Sequence, residues 1–318
     1  MRRRQRDAAA AAEGSLGLLY PRGFWRLLAA PGVLWLLVLF VLPFYAMLST
    51  AGGRLDPVFQ TATPEWSPLR WHPDAFEYVL RNLVAADGPF RVVFVRTLVF
   101  VFSAVALCLV IGYPVAYYVS RLSGRRKAIM LSLVVLPFWI SYLMRMLAWV
   151  GVLQDDGYLN RVLVAAGIIQ TPVHWLEGKA VTVVLGLAYG YAPFLILPLF
   201  AALERIDRRT LEAAWDLGAG SLGAFVRVTL PLSRQGILAG VVIIMLPMFG
   251  DYYTADLLSG RVSTTMIGSQ IVFYLQGSTL GASQARGAAL VTVLAALVSV
   301  LTIYYLVTTA RAAREARR

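Results

Sequence analysis

The sequence is poor in most of what soluble enzymes use for chemistry. It has one cysteine, Cys108, in 318 residues. A single thiol excludes a disulfide framework within the chain and a cysteine-based metal site. Its two histidines, His72 and His174, lie far apart without ligand companions at usable spacing. No metal site is therefore expected, and no Ser/His/Asp or paired-carboxylate constellation converges. Charge is also scarce. Only 14% of residues are Asp, Glu, Lys or Arg, against roughly 25% in soluble domains. The phosphate-binding pattern G-x-x-x-x-G-K-[ST] is missing. The nearest stretch, Gly124-Arg125-Arg126-Lys127, lacks its spacing. The chain reads as a non-enzyme with no nucleotide site of its own.

Apolar residues are abundant, at 59% of the chain. So little polar surface cannot cover a water-soluble globule. A helix crosses the hydrocarbon in about 20 apolar residues, and six stretches qualify. They are approximately Val33–Thr50, Thr97–Val119, Ala128–Leu153, Ala180–Leu203, Gly236–Leu258 and Ala288–Thr309. The expected fold is all-α, a polytopic membrane protein with six transmembrane helices. Prolines fall within these stretches at 43, 114, 137, 193, 198 and 247. Proline is tolerated in a span when neighbours re-satisfy the freed carbonyls.

The net charge of +12 has a distribution that explains it. With the N-terminus in the cytoplasm, nineteen of the 29 basic residues fall on the inner side and nine on the outer. Arg145 lies within a span. The excess of Lys and Arg on one side orients the chain with both termini cytoplasmic, and the charge faces membrane lipid, not nucleic acid. The first apolar stretch is longer than a typical signal core, so an uncleaved first helix is expected. Residues 1–31 then form an N-terminal tail, 32–310 the membrane domain and 311–318 a C-terminal tail.

The outer segment 51–96 carries balanced charge and Trp66, Trp71, Phe76 and Tyr78. A helix is expected near Pro73–Leu83, with Asp74 as its cap. The second outer loop, Gln154–Lys179, has turn signals at Gly157 and Pro172.

One polar island interrupts the apolar runs: "EAAWDLGAGSLGAFVRVTLPL", Glu212 to Leu232. Asp207 fits an N-cap. Leu211, Ala214, Trp215 and Gly218 recur at helical spacing, which predicts a helix over Arg208–Leu217. Gly218 is placed to end it in the left-handed conformation. Ser221 is expected to cap a second short helix through Val228, and Pro231 to limit it and turn the chain into the fifth span. Small residues and the acidic Glu212 and Asp216 on an exposed elbow suit docking into a soluble partner. A plain re-entry turn has the same periodicity.

The spacing Glu212-Ala213-Ala214, Gly218, Val228, Leu230-Pro231 resembles the signature loop of ABC importer inner-membrane permeases of the binding-protein-dependent, type I class. Valine stands at 228 where the pattern has isoleucine. The similarity extends through "LPFWISYLMR" (Leu136–Arg145), "GYLN" (Gly157–Asn160) and "MLPMFGDYYTADLLSG" (Met245–Gly260). These look like the first-type permease of spermidine/putrescine importers, and the likeness covers nearly all of the chain from about residue 30. The resemblance implies a core permease unit at about 94–308 and a coupling loop at 204–235. The first short helix would be the coupling helix, docking an ATPase subunit through Glu212, Ala213, Ala214, Trp215, Asp216, Gly218 and Ala219. It further implies a second homologous permease, two ATP-binding subunits that use ATP and magnesium, an extracytoplasmic solute-binding protein, and a bacterial inner membrane.

Two ionisable residues lie within the expected spans, Arg145 and Asp251, and intramembrane charges are functional candidates by default. At about 1.5 Å per residue both fall at similar depth in the outer half. They are candidates for an ion pair. The other reading places Asp251, with Tyr252, Tyr253, Tyr189 and Tyr191, on the cargo's route. A polyamine is a chain of ammonium groups, attracted by a carboxylate and by aromatic faces. Arg145 would then be peripheral or neutralised. The alternatives are another solute of related importers (an opine, iron or an organic anion) or a stand-alone secondary carrier.

Overall fold

The computed structural model describes residues 22–55, 62–276 and 281–315. Arg2, Arg3, Arg4 and Arg6 of the N-terminal tail, and Arg317 and Arg318 of the other, lie outside the described residues. Among the described residues, five helices are long and apolar enough to cross a membrane, or six when one bent pair is counted as a single span.

Helix α1 (Arg22–Leu36) runs through a π turn at Leu37–Val41 into α2 (Leu42–Ala51). The apolar stretch of this first span is not buried against the rest of the chain. Only its far end packs, through Met47 and Ala51. A two-residue hairpin follows, Arg54–Leu55 (β1) against Ala62–Thr63 (β2), antiparallel with Arg54 opposite Thr63. Helix α3 (Asp74–Val84) is the expected outer helix. Its cap differs from expectation. Asp74 is the first helical residue, Pro73 holds the cap position, and no side chain bonds there. Proline's fixed φ already starts the turn.

The core is built on α4 (Pro89–Arg121) and α8 (Ala180–Glu204), which pack along their length. Close approach rests on small residues, as in other membrane bundles. A Cβ on Gly112 would stand 3.2 Å from Ile196, and one on Gly190 would stand 2.6 Å from the Tyr142 ring. Cys108 is buried here and donates to the Ala188 carbonyl at 3.4 Å.

The third span, expected as one helix over Ala128–Leu153, is broken. Helix α5 (Gly124–Val135) passes through a 3-10 turn at Leu136–Trp139 and bends by 90° into α6 (Tyr142–Leu153). Pro137 lacks the amide that would continue the helix. The Ser141 hydroxyl then accepts from Met144 N–H at 3.3 Å and starts a new helix. Helix α7 (Tyr158–Ala165) follows. Asn160 is buried there and ties Gln154, Asp155, Val173 and Trp175 together through both amide atoms.

The fifth span also differs from expectation. A continuous helical run covers Ser221–Phe249: α10 (Ser221–Ala224), a π turn at Phe225–Thr229, and α11 (Leu230–Phe249). Pro231 therefore makes no turn. The widened π turn ahead of it removes the clash that an α-helix would force between the proline ring and the Arg227 carbonyl. Nor does Ser221 cap α10. It is the first helical residue, after Gly220. At the other end the helix stops at Phe249, well short of Leu258, and Asp251 lies in the break before α12 (Tyr253–Leu258). The Asp251 carboxylate accepts from Thr254 N–H at 2.9 Å, so it starts α12 as an N-terminal cap does. Helices α13 (Ile267–Gln276) and α14 (Gly281–Glu315) close the fold, and α14 contains the expected sixth span.

Candidate functional site

Two polar regions stand out, at opposite ends of α11. The first is the elbow between α8 and α10. Its short helix α9 (Arg208–Asp216) starts at Asp207, whose carboxylate accepts from Arg209 N–H at 3.0 Å. It ends as the sequence expects. Gly218 has φ +85°, Ala219 N–H bonds back to the Ala214 carbonyl at 3.0 Å, and Gly218 N–H to Trp215 at 2.9 Å. This paired bonding is the Schellman arrangement, which satisfies the last carbonyls of a helix.

Only Leu211 of α9 is buried. Glu212, Ala213, Trp215, Asp216 and Gly218 are exposed, and Ala214 and Ala219 are half-buried. Trp215 shares helical spacing with buried Leu211, yet it is 48% exposed, as a docking residue requires. Sequence reasoning missed Leu217, which is 89% exposed, and Leu222, exposed on the next helix. Two large apolar residues flanking the Gly218 turn in a polar loop were the available signal. Among the described residues Glu212 makes only an exposed pair with Arg208, at 3.5 Å. The elbow thus presents apolar side chains beside two carboxylates with little internal use for either.

The second region is a buried knot where two helix breaks meet, between α5 and α6 and between α11 and α12. Asp251 is 6% exposed. Its carboxylate accepts from the Tyr142 hydroxyl at 2.6 Å, the Tyr191 hydroxyl at 3.1 Å and the Thr254 hydroxyl at 3.0 Å, besides the Thr254 amide. A buried carboxylate persists only when such donors replace its water. Discontinuous helices bring unwound backbone and polar groups together in membrane transport proteins.

Arg145 and Asp251, candidates for an ion pair, do not form one among the described residues. The carboxylate already has four donors. The Arg145 guanidinium lies over the rings of Tyr142 and Phe138, at 5.4 and 5.8 Å. It is equally buried, and Nε and Nη1 have no hydrogen-bond partner among the described residues. Tyr142 stands between the two charges, its ring under the arginine and its hydroxyl on the aspartate. The sequence held this residue within a similarity motif but assigned it no role.

The tyrosines divide. Tyr191 joins Asp251, whereas Tyr189, two residues away on the same helix, turns to Trp149 at 5.3 Å. A spacing of two puts side chains on different faces of a helix. Tyr252 and Tyr253 stack on each other at 4.0 Å and make no hydrogen bond to Asp251.

Residues 90–315 match the family model described as "Binding-protein-dependent transport system inner membrane component". The chain belongs to this family. It is accordingly an all-α, multi-pass inner-membrane permease component of an ABC importer. Among curated relatives, the spermidine/putrescine transport system permease protein PotB of Haemophilus influenzae is 44% identical over 157 residues, covering 49% of this chain and 54% of that one. PotB of Escherichia coli strain K12 is 38% identical over 168 residues, covering 53% and 60%. The chain thus spans little more than half the length of these relatives. In fold it is similar to a chain of a bacterial alginate ABC transporter, solved in complex with an alginate pentasaccharide-bound periplasmic protein. The TM-score is 0.62 at 19% identity, over 88% of this permease and 92% of that chain.

Proposed function

We propose that this permease forms half of the route for a polyamine such as spermidine or putrescine in an ATP-driven importer. The observation that carries the cargo reading is the 44% identity to a spermidine/putrescine permease over 157 residues. The buried carboxylate among hydroxyls at the two breaks is chemically suited to the same cargo. An ammonium group is attracted to a carboxylate and to the faces of nearby rings. In this reading Asp251, Tyr191 and Tyr142 line the outer end of the route and meet cargo when the breaks separate. Arg145, held against two rings, keeps its charge off that path. Tyr189 and Tyr252 border the route at greater distance.

The elbow is the proposed site of energy input. The chain works with a second, homologous permease, two ATP-binding subunits and an extracytoplasmic solute-binding protein. An ATPase subunit receives α9, with Trp215, Ala213 and Ala214 seated in its cleft and Glu212 and Asp216 at the rim. ATP and magnesium belong to that subunit. The basic excess supports a cytoplasmic elbow and cytoplasmic termini, with the knot toward the outside.

Uptake of radiolabelled spermidine and putrescine into a strain lacking this gene, with and without complementation, tests the reading. Complemented cells should regain uptake, and unlabelled polyamine should compete. Competition by an opine, an iron chelate or an organic anion instead would reassign the cargo. Transport by the purified chain alone would replace the importer by a secondary carrier.

A further inference from the structure

A moving elbow acts on the bundle only through what it touches. Helix α9 packs onto α10 and the π turn Phe225–Thr229. From that turn Phe225 reaches α4. Its ring meets Tyr113 at 5.6 Å and 89°, and Tyr117 at 5.9 Å and 90°. The two tyrosines stand one helical turn apart on α4, and a turn further Arg121 lies over Tyr117 at 4.9 Å. Edge-to-face contacts stabilise a ring beyond its buried area, and two of them converge on one side chain. Two turns along from Phe225, the hydroxyls of Ser233 and Tyr113 hydrogen-bond at 2.8 Å, both residues buried. The segment between elbow and span is therefore fastened to α4 at two successive points.

The turn that carries Phe225 is also the irregular one. Leu230 N–H bonds to the Phe225 carbonyl, five residues back. The Thr229 hydroxyl is buried without a partner among the described residues, a cost borne by the present arrangement. Single π turns inside α-helices are local departures that recur at functional sites.

We infer that Phe225 is the pin through which displacement of α9 reaches α4, with the π turn yielding between elbow and α11. This rests on the importer reading above. Close-packed aromatic joints transmit strain because they cannot compress. Without the ring, α9 moves while α4 stays. Phe225 is a positioning residue here and touches no cargo.

The test uses the assembled transporter in proteoliposomes, with both permeases, the ATPase subunits and the binding protein. Phe225→Ala should leave the ATPase subunits bound and basal hydrolysis within about twofold. Stimulation of hydrolysis by cargo-loaded binding protein, and uptake with it, should fall at least about tenfold. Tyr117→Leu removes the seat from the other side and should give the same split. The double variant should be no worse than either single one, since coupled residues act as a unit. Wild-type stimulation and uptake in Phe225→Ala would overturn the proposal. So would additive losses in the double variant, or loss of the ATPase subunits from both single variants, which would make the contact a mere support for the docking surface. If the unsubstituted complex binds no ATPase subunit, the importer reading fails and the pin fails with it.

Discussion

At the elbow, Glu212 and Asp216 stand in solvent, and Glu212 forms an exposed pair with Arg208. At the knot, Asp251 is enclosed and takes four donors from α6, α8 and α12. The two regions contain the same kind of charge in opposite circumstances. An exposed carboxylate contributes little to stability, because water solvates it well and screens its partners. An enclosed one is costly when any partner is lost, since the rest remain buried and unpaired. Substitutions at the elbow should therefore damage transport and spare the fold. Substitutions at the knot should damage both.

The sharpest break of this comparison is at Gly218. A Cβ there meets nothing within 4 Å, but φ is +85°. Left-handed backbone costs an L-residue roughly 1–2 kcal/mol, and more with β-branching. Gly218→Val should lower uptake by at least about tenfold, with membrane abundance nearly unchanged, because the exposed turn can shift to relieve the strain. Loss of the protein from the membrane would show that the elbow is a structural turn and collapse the distinction.

Asp251→Asn comes next. It removes the charge that an ammonium would seek while keeping the shape. Uptake of a cationic cargo should fall about tenfold and the melting temperature should drop, because an amide N–H2 cannot accept from the donors around it, while the complex still co-purifies. Unchanged uptake would take Asp251 out of the mechanism and leave the knot as architecture.

Tyr142→Phe deletes one hydrogen bond at 2.6 Å and retains the ring beneath Arg145. A net loss of about 1 kcal/mol is expected, read as a lower melting temperature in detergent, with uptake reduced a few-fold. A variant with normal stability and normal uptake would mean that the other three donors suffice.

Glu212→Gln should have the smallest effect. Exposed i,i+4 pairs contribute only about 0.3–0.5 kcal/mol, so the melting temperature should not move measurably. The change should appear as weaker retention of the ATPase subunits on co-purification, most evident at low salt. A shifted melting temperature would show that the elbow is not the free surface its exposure suggests.

The first half of the elbow was legible, and the second half was not: Ser221 caps nothing and Pro231 makes no turn. Asp207 as cap, helix α9 and left-handed Gly218 each depend on residues within a few positions of one another. The apolar spans were legible because hydrocarbon demands length and composition alone. Less legible were the places where spans stop being helices. Pro137 announced a possible kink, as did prolines in spans that stay continuous. Pro231 looked like a turn, and the helix runs through it by widening one turn.

The knot was the least legible. Tyr142 and Asp251 lie 109 residues apart, and no local pattern says that two broken helices will meet. Matching depth suggested an ion pair between Arg145 and Asp251, but depth in the bilayer does not fix which way a side chain turns. Sequence by itself determined the membrane class, the spans and the first half of the elbow, because solvent and backbone geometry act locally. Tertiary structure alone decided that three hydroxyls and an amide, in place of an arginine, hold Asp251. That choice depends on which helix faces come together, and Gly190 decides part of it by leaving room for the Tyr142 ring.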